Sequence, residues 1–169
     1  MTAEPAAAPR FSDAALAEYR ELLGRYPTRR AALMPTLWLA QREFGWLSEP
    51  VQAYVAELME LPLAWVTSVA SFYTMYWKEP PGRWHLQVCR NLPCALRGAD
   101  ELRRAIHEKL GICAGEKTPD GRFSFEEVEC LASCGTAPVV QVNNADYHEN
   151  LDVPALLALI DRLADERDH

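Results

Sequence analysis

Leu16, Tyr19, Leu22 and Leu23 recur at helical intervals behind Ser12, whose short hydroxyl side chain suits a helix N-cap. Tyr26-Pro27-Thr28 starts a second helical stretch, in which Leu33, Leu37, Ala40 and Phe44 share one face. Pro35 lacks an N–H and fits only a first turn, so the regular helix is expected to begin near Met34. Gly45 ends it, and Ser48 caps a third helix with Val51, Tyr54, Val55 and Leu58 along its stripe. After the break at Leu61-Pro62, Val66, Val69 and Ala70 mark a fourth. These four amphipathic elements predict a compact helical bundle.

The period changes beyond Lys78-Glu79-Pro80-Pro81-Gly82, where two prolines remove backbone donors and a glycine follows. His85 to Cys89 alternates as a strand does, and Leu96 to Leu110 is helical with Leu102, Ile106 and Leu110 on one face. Thr118-Pro119-Asp120-Gly121 reads as a turn, Phe123 to Val128 and Pro138 to Val142 as strands, and Asn143-Asn144 as another turn. Asp152 and Pro154 open a last helix through Leu156, Leu157, Ile160 and Leu163. The βαββα order gives an α/β unit. The chain therefore divides into a flexible tail at 1–11, a helical bundle at 12–80 and an α/β domain at 81–169. In class terms this is α+β or α/β.

With 49% apolar and 24% charged residues, the chain of 169 suits packed soluble cores and excludes disordered and collagen-like classes. No apolar run reaches the ~18 residues a membrane span requires, and Met1 to Pro9 lacks the basic and apolar regions of a signal peptide. A cytoplasmic protein without direct membrane insertion is expected. The net charge of −7 has the wrong sign for nucleic acid. Splitting the chain at Pro81 gives 7 basic and 9 acidic residues before it, and 10 and 15 from it onward. Acidity thus concentrates on the second unit.

All five cysteines also lie there, at 89, 94, 113, 130 and 134. Cys89-x4-Cys94 follows the first strand of that unit and Cys130-x3-Cys134 the second, so both pairs are expected on loops leaving strand ends. Four thiolates suit either a tetrahedral zinc or a 2Fe-2S cluster. The intervals of four and three favour iron over the short knuckles of structural zinc, with free or redox thiols as a third reading. Leu92, Leu131 and Ala132 are expected to cover the pairs with apolar surface. No Cys-x-x-Cys is present for thiol–disulfide catalysis, and Cys113 reads as a bystander.

Around these positions stand Val88-Cys89, Pro93-Cys94-Ala95-Leu96-Arg97-Gly98-Ala99-Asp100, Leu110-Gly111-Ile112, Thr118-Pro119-Asp120-Gly121, Val128-Glu129-Cys130-Leu131-Ala132-Ser133-Cys134 and Ala137-Pro138-Val139. The first unit carries Gln41-Arg42-Glu43-Phe44-Gly45-Trp46-Leu47 and Val69-Ala70-Ser71-Phe72-Tyr73-Thr74-Met75. Over residues 28–165 the chain resembles the small 2Fe-2S subunit of the NADH-dehydrogenase module of respiratory complex I, NADH:quinone oxidoreductase, which has a thioredoxin-like ferredoxin domain. The resemblance implies one 2Fe-2S cluster, with Cys89 and Cys94 on one iron and Cys130 and Cys134 on the other. It also implies a larger partner subunit that binds FMN and NADH, with which this chain exchanges single electrons. Ala132 stands where the family usually has glycine, which suits ligation if its φ is negative.

An all-thiolate cluster leaves no coordination site for substrate, and its negative charge on an acidic unit predicts a potential nearer about −400 mV than the Rieske range. The chain has neither a Gly-x-Gly-x-x-Gly nor a Walker sequence, in keeping with nucleotide binding on the partner and no activity from the isolated chain. His85, His107, His148 and His169 read as structural or surface residues, and Arg97 and Asp100 either as cluster or partner contacts or as helix capping and surface charge. Trp65, Phe72, Tyr73, Tyr76 and Trp77 form either core or part of a docking face for the flavoprotein. Two other hosts are compatible with the motifs: a soluble NAD-dependent formate dehydrogenase or hydrogenase, and, without redox chemistry, a zinc-stabilised adaptor.

Overall fold

A computed structural model describes residues 8–166, so most of the tail and His169 lie outside the described residues. Two compact units divide between Pro80 and Pro81, each with its own apolar core.

The first unit holds α1 (Asp13–Gly24), α2 (Leu33–Phe44), α3 (Glu49–Met59) and α4 (Leu63–Phe72), with a 3-10 turn at Arg30–Ala32 leading into α2. Ser12 Oγ accepts from Ala15 N at 3.2 Å and Ser48 Oγ from Val51 N at 3.4 Å, so both expected caps satisfy orphan helix donors. Pro35 sits in the first turn of α2, and Gly45 closes that helix at φ 81°. The apolar faces meet around Leu33, Leu37, Leu47, Val55, Met59 and Val66, each at most 2% exposed. Burying a side chain of this kind contributes roughly 1.5–3 kcal/mol.

Phe11 differs from its expected place in a tail. It is buried, stacks 5.6 Å from Phe44, and donates its N–H to Tyr54 Oη at 3.0 Å. An aromatic ring and a satisfied amide tie the chain down one residue before the Ser12 cap. Gln41 fastens the segment after α4, its Nε2 donating to Met75 O at 2.9 Å while its Oε1 accepts from Trp77 N at 2.7 Å. Tyr76 is fully buried beside them, its Oη donating to Met34 O at 2.9 Å.

The second unit runs β1 (Trp84–Cys89), α5 (Leu92–Leu96), α6 (Ala99–Leu110), β2 (Phe123–Val128), β3 (Val140–Val142), β4 (Asp146–His148) and α7 (Val153–Asp165). Its sheet has the order β2-β1-β3-β4, with β1 and β2 parallel and the other neighbours antiparallel. Leu86 pairs with Val142 and Val88 with Val140, and all four join α6 and α7 in the core through Leu102, Ile106, Leu156 and Ile160. Successive side chains alternate between faces, which puts polar groups on the other side of β1. Those groups are buried but partnered: Gln87 Nε2 donates to Glu126 Oε1 at 2.9 Å, and His85 lies 2.9 Å from Glu126 and 2.6 Å from Ser124.

Three sequence expectations are corrected. The helix expected from Leu96 is two, because Gly98 at φ 101° breaks the backbone between α5 and α6. The third strand begins only at Val140, since Pro138 has no N–H for a ladder. A fourth strand, β4, follows the Asn143-Asn144 turn, both residues of which have positive φ and so reverse the chain back along β3. Its three residues are too few for a periodic signal.

Gly82 is required by space. A Cβ there would lie 2.4 Å from the carbonyl carbon of Phe123, and its N–H donates to Ser124 Oγ at 2.8 Å. Residue 82 thereby runs directly against the start of β2.

Candidate metal centre

Parallel pairing in register, Trp84 with Phe123 through Cys89 with Val128, brings the C-terminal ends of β1 and β2 to the same place. Cys89 is the last residue of β1, and Cys130 follows β2 by two residues. Arg90 N extends the ladder by donating to Val128 O at 3.0 Å. Beyond these ends the chain turns sharply on both strands. Asn91 accepts from Leu92 N at 2.9 Å and starts α5, whose third residue is Cys94, while Cys134 opens a 3-10 turn through Thr136. Cys94 is thus on a helix rather than the expected loop, because Asn91 and Pro93 nucleate a turn immediately after the strand.

The four thiols meet as two pairs. Cys130 Sγ and Cys134 Sγ are 3.6 Å apart, close to the ~3.8 Å edge of a tetrahedral centre with metal–sulfur bonds of about 2.3 Å. Cys94 is hydrogen-bonded to Cys89, and Cys134 lies close enough to Cys89 for the two pairs to influence each other electrostatically. Among the described residues, no group of three or more His, Cys, Asp or Glu side chains is arranged to hold a metal ion. Two thiol pairs side by side match the donor set of a dinuclear 2Fe-2S group, in which each iron takes two cysteines.

The pairs sit in unlike surroundings. Cys89 and Cys94 are each 1% exposed, whereas Cys130 and Cys134 are exposed. Burial pushes the Cys94 thiol up to about 11, aided by its hydrogen bond with Cys89, and the Cys130 contact raises Cys134. The expected apolar cover is only partly present: Leu131 is half-buried, but Leu92 is 67% exposed and Ala132 is exposed. Leu92 and the 77% exposed Leu96 point outward from α5, so this end of the sheet carries an open apolar patch.

Ala132 has φ 61°, so the negative φ under which its methyl would suit ligation without strain is not adopted. That left-handed turn lets its N–H reach back to Cys130 Sγ at 3.3 Å. The hydrogen bond supplies a reason for the strained conformation in a residue that carries a Cβ.

Cys113 stands outside both pairs, exposed and 3.7 Å from His107 Nδ1. Asp100 pairs with Arg103, and Arg97 caps the C-terminal end of α5, its N–H donating to Cys94 O at 3.1 Å. The aromatic group of the first unit splits, with Tyr76 in the core and Phe72 at 77% exposure. Sequence reading missed Asn91, although Asn before a proline-containing turn is a recognisable cap signal. It also missed Ser133 and Thr136, on either side of Cys134 in the chain, and Glu149 from the segment after β4, which are hydrogen-bonded to one another. Nothing in one sequence connects Glu149 with a loop 13 residues earlier.

A parallel β-α-β core closed by an antiparallel pair, with two cysteine pairs at its strand ends, defines a thioredoxin-like iron–sulfur protein. The thioredoxin-like 2Fe-2S ferredoxin family matches residues 19–164, and the chain belongs to that family. It carries one 2Fe-2S cluster. Among relatives, an NADH-quinone oxidoreductase subunit of Rhizobium meliloti is 46% identical over 144 residues, 85% of each chain. An NADH-quinone oxidoreductase subunit of Thermus thermophilus is 47% identical over 142 residues, 83% of this chain and 78% of its own. The fold is also that of part of an NAD+-reducing NiFe-hydrogenase, with a TM-score of 0.71 at 22% identity over 80% of this chain and 22% of the hydrogenase chain.

Proposed function

We propose that this chain is the small electron-transfer subunit of an NADH-quinone oxidoreductase, with Cys89, Cys94, Cys130 and Cys134 holding its single cluster. The observation that carries the ligand set is the meeting of both cysteine pairs at the ends of two neighbouring parallel strands. A 2Fe-2S group held there by Cys89, Cys94, Cys130 and Cys134 would supply one-electron transfer and, with four thiolate ligands, no open position for substrate. Hydride chemistry therefore belongs to a larger partner that binds NADH and FMN. The protein's own residues hold the two thiol pairs, exclude water from Cys89 and Cys94, and direct the Ala132 N–H at Cys130.

The open patch of Leu92 and Leu96 beside the thiols suits contact with that flavoprotein, and exposed Phe72 offers a second apolar point on the first unit. Among the described residues no helix is long and apolar enough to cross a membrane, which supports a peripheral place in a membrane-attached complex. Relatives named as quinone oxidoreductase subunits at 46% and 47% identity favour this host over a soluble hydrogenase, whose likeness at 22% speaks to the fold. They also argue against the zinc adaptor.

Protein prepared anaerobically should contain two irons and two acid-labile sulfides per chain and give a rhombic EPR signal when reduced. Cys130→Ser should abolish or shift that signal, and Cys113→Ser should leave it unchanged. One zinc without sulfide, or the opposite response of the two variants, would overturn the ligand set. Co-purification of the native protein should bring down the NADH-binding subunit together with membrane subunits. A soluble dehydrogenase in their place would overturn the choice of host.

A further inference from the structure

The loop that carries Cys130 and Cys134 is tied at its far end by a carboxylate. Ser133, immediately before Cys134, donates its hydroxyl to Glu149, and Thr136 Oγ1 lies 2.7 Å from the same Glu149 Oε1. The two hydroxyl oxygens are themselves 2.7 Å apart. Two hydroxyl protons thus converge on one carboxylate oxygen, an arrangement that favours the ionised form, and both bonds hold the Glu149 carboxyl below the usual carboxylate range.

Main-chain bonds fix the carboxylate in turn. Asn150 N donates to Thr136 O at 2.7 Å and Leu151 N to Pro138 O at 3.2 Å, so the segment following β4 is laid against residues 136–138. Within the loop, Thr136 N returns to Ser133 O at 3.1 Å. Leu131 and Ala132 form the only stretch between the two cysteines outside this knot, and Ala132 there holds a left-handed φ of 61° while donating to Cys130 Sγ. Such a conformation persists only where its surroundings enforce it.

We propose that Glu149 is a positioning residue for the cluster: through Ser133 and Thr136 it fixes Cys134 and keeps the Ala132 N–H on Cys130 Sγ. The side chain touches no thiol and takes no part in electron transfer. It acts on the exposed half of the site, where the cysteines are not buried and Cys134 only begins a three-residue 3-10 turn. The inference rests on Cys130 and Cys134 being ligands.

The test uses the full chain with its cluster, in Glu149→Ala, Glu149→Gln and Ser133→Ala/Thr136→Val variants. Cluster loss to a chelator is followed at visible wavelengths, and g values are read by EPR. Glu149→Ala should release the cluster about tenfold faster, the scale of one charge-assisted hydrogen bond, with altered g values. Glu149→Gln keeps an acceptor oxygen and should stay within about threefold of wild type. Adding Glu149→Ala to the double variant should bring no further change, because the route through both hydroxyls is already gone. Wild-type loss rates in Glu149→Ala, or a full additional effect in the triple variant, would overturn the proposal. A fall in the global unfolding midpoint matching the faster loss, with unchanged g values, would also overturn it by making Glu149 merely structural. Cys134→Ser run in parallel separates the two claims: an unchanged EPR signal there refutes the ligand set, whatever Glu149 does.

Discussion

Replacing Ala132 by glycine isolates the strain in the cysteine loop. A non-glycine residue in the left-handed region costs about 1–2 kcal/mol, and φ 61° places Ala132 there. Glycine removes that cost but regains about 0.4–1 kcal/mol of conformational freedom in the unfolded chain. Because Ala132 is exposed, its methyl group contributes little packing. The difference leaves Ala132→Gly more stable by about 0.5–1 kcal/mol. With a urea m-value of about 2 kcal/mol/M, the midpoint should rise by about 0.3–0.5 M in an anaerobic titration followed by far-ultraviolet circular dichroism and the visible cluster band. The reduction potential should stay where it is, since the donor to Cys130 Sγ is the backbone N–H, which glycine retains. Ala132→Pro should fail on both counts, because proline lacks the donor and cannot adopt positive φ. A lower midpoint for Ala132→Gly would refute the strain argument, and an unaltered cluster in Ala132→Pro would refute the role of the N–H.

Further outcomes follow from other parts of the fold. Gly82→Ala should cost about 3 kcal/mol in a denaturant titration, because its Cβ meets the β2 backbone at 2.4 Å and no flexible side chain can yield. Tyr76→Phe should cost about 1 kcal/mol, as it leaves Met34 O without its 2.9 Å donor. His148 gives a pH dependence: burial first, and then Arg162, hold its pKa below the ordinary histidine value of 6.5. The unfolded chain therefore binds the proton more readily, so this contribution to stability is present above about pH 6.5 and lost as the pH falls through the folded pKa. Unfolding midpoints measured between about pH 7.5 and 5 should fall more steeply in wild type than in His148→Gln.

How far these features can be read from sequence depends on the range of the interactions that make them. The Ser12 and Ser48 caps, the Gly45 stop and the stripes through Leu37 and Val55 are local, and periodicity with capping chemistry locates them within a residue or two. The cysteine pairs are legible for a related reason, as each is a short interval anchored to the end of a periodic strand. Burial of Gln87 and His85 is not legible, because only the pairing of β1 with β2 reveals that Glu126 and Ser124 will satisfy them. Likewise the sign of φ at Ala132 follows from a sulfur acceptor two residues back, and a Cβ-bearing residue gives no hint of it. Leu92 misleads for the opposite reason, since a five-residue helix has too little inner face to bury every apolar side chain.

The excess of acidic residues on the second unit suggests a field that resists reduction, yet several of its acids are paired with arginines, while Glu149 is held by the Ser133 and Thr136 hydroxyls. Glu129, next to Cys130, holds Arg90, next to Cys89, at 2.5 Å. Arg103 bonds both Asp100 and Glu127, the latter at 2.7 Å, and Arg104 bonds Glu101 at 3.0 Å. Exposed pairs of this kind contribute little stability, but each nearly cancels its own field at short range. On α7, Asp161 is likewise held by Lys109 at 2.6 Å, and acids further off act through water across a screening length of about 8 Å. The potential is therefore governed by burial, by N–H donors and by the few charges whose cancellation can be undone. Arg90→Gln is the sharpest test, because it exposes the Glu129 charge between the two strand ends without disturbing a thiol. The added electron then meets an uncompensated anion, so the potential should fall by tens of millivolts at most in dilute buffer, and the shift should shrink as salt is raised. Glu129→Gln should move it in the opposite direction by removing the anion that offsets Arg90. A shift of the same sign in both variants, or one indifferent to salt, would show that the pair acts through structure and that its charges have no direct hold on the cluster.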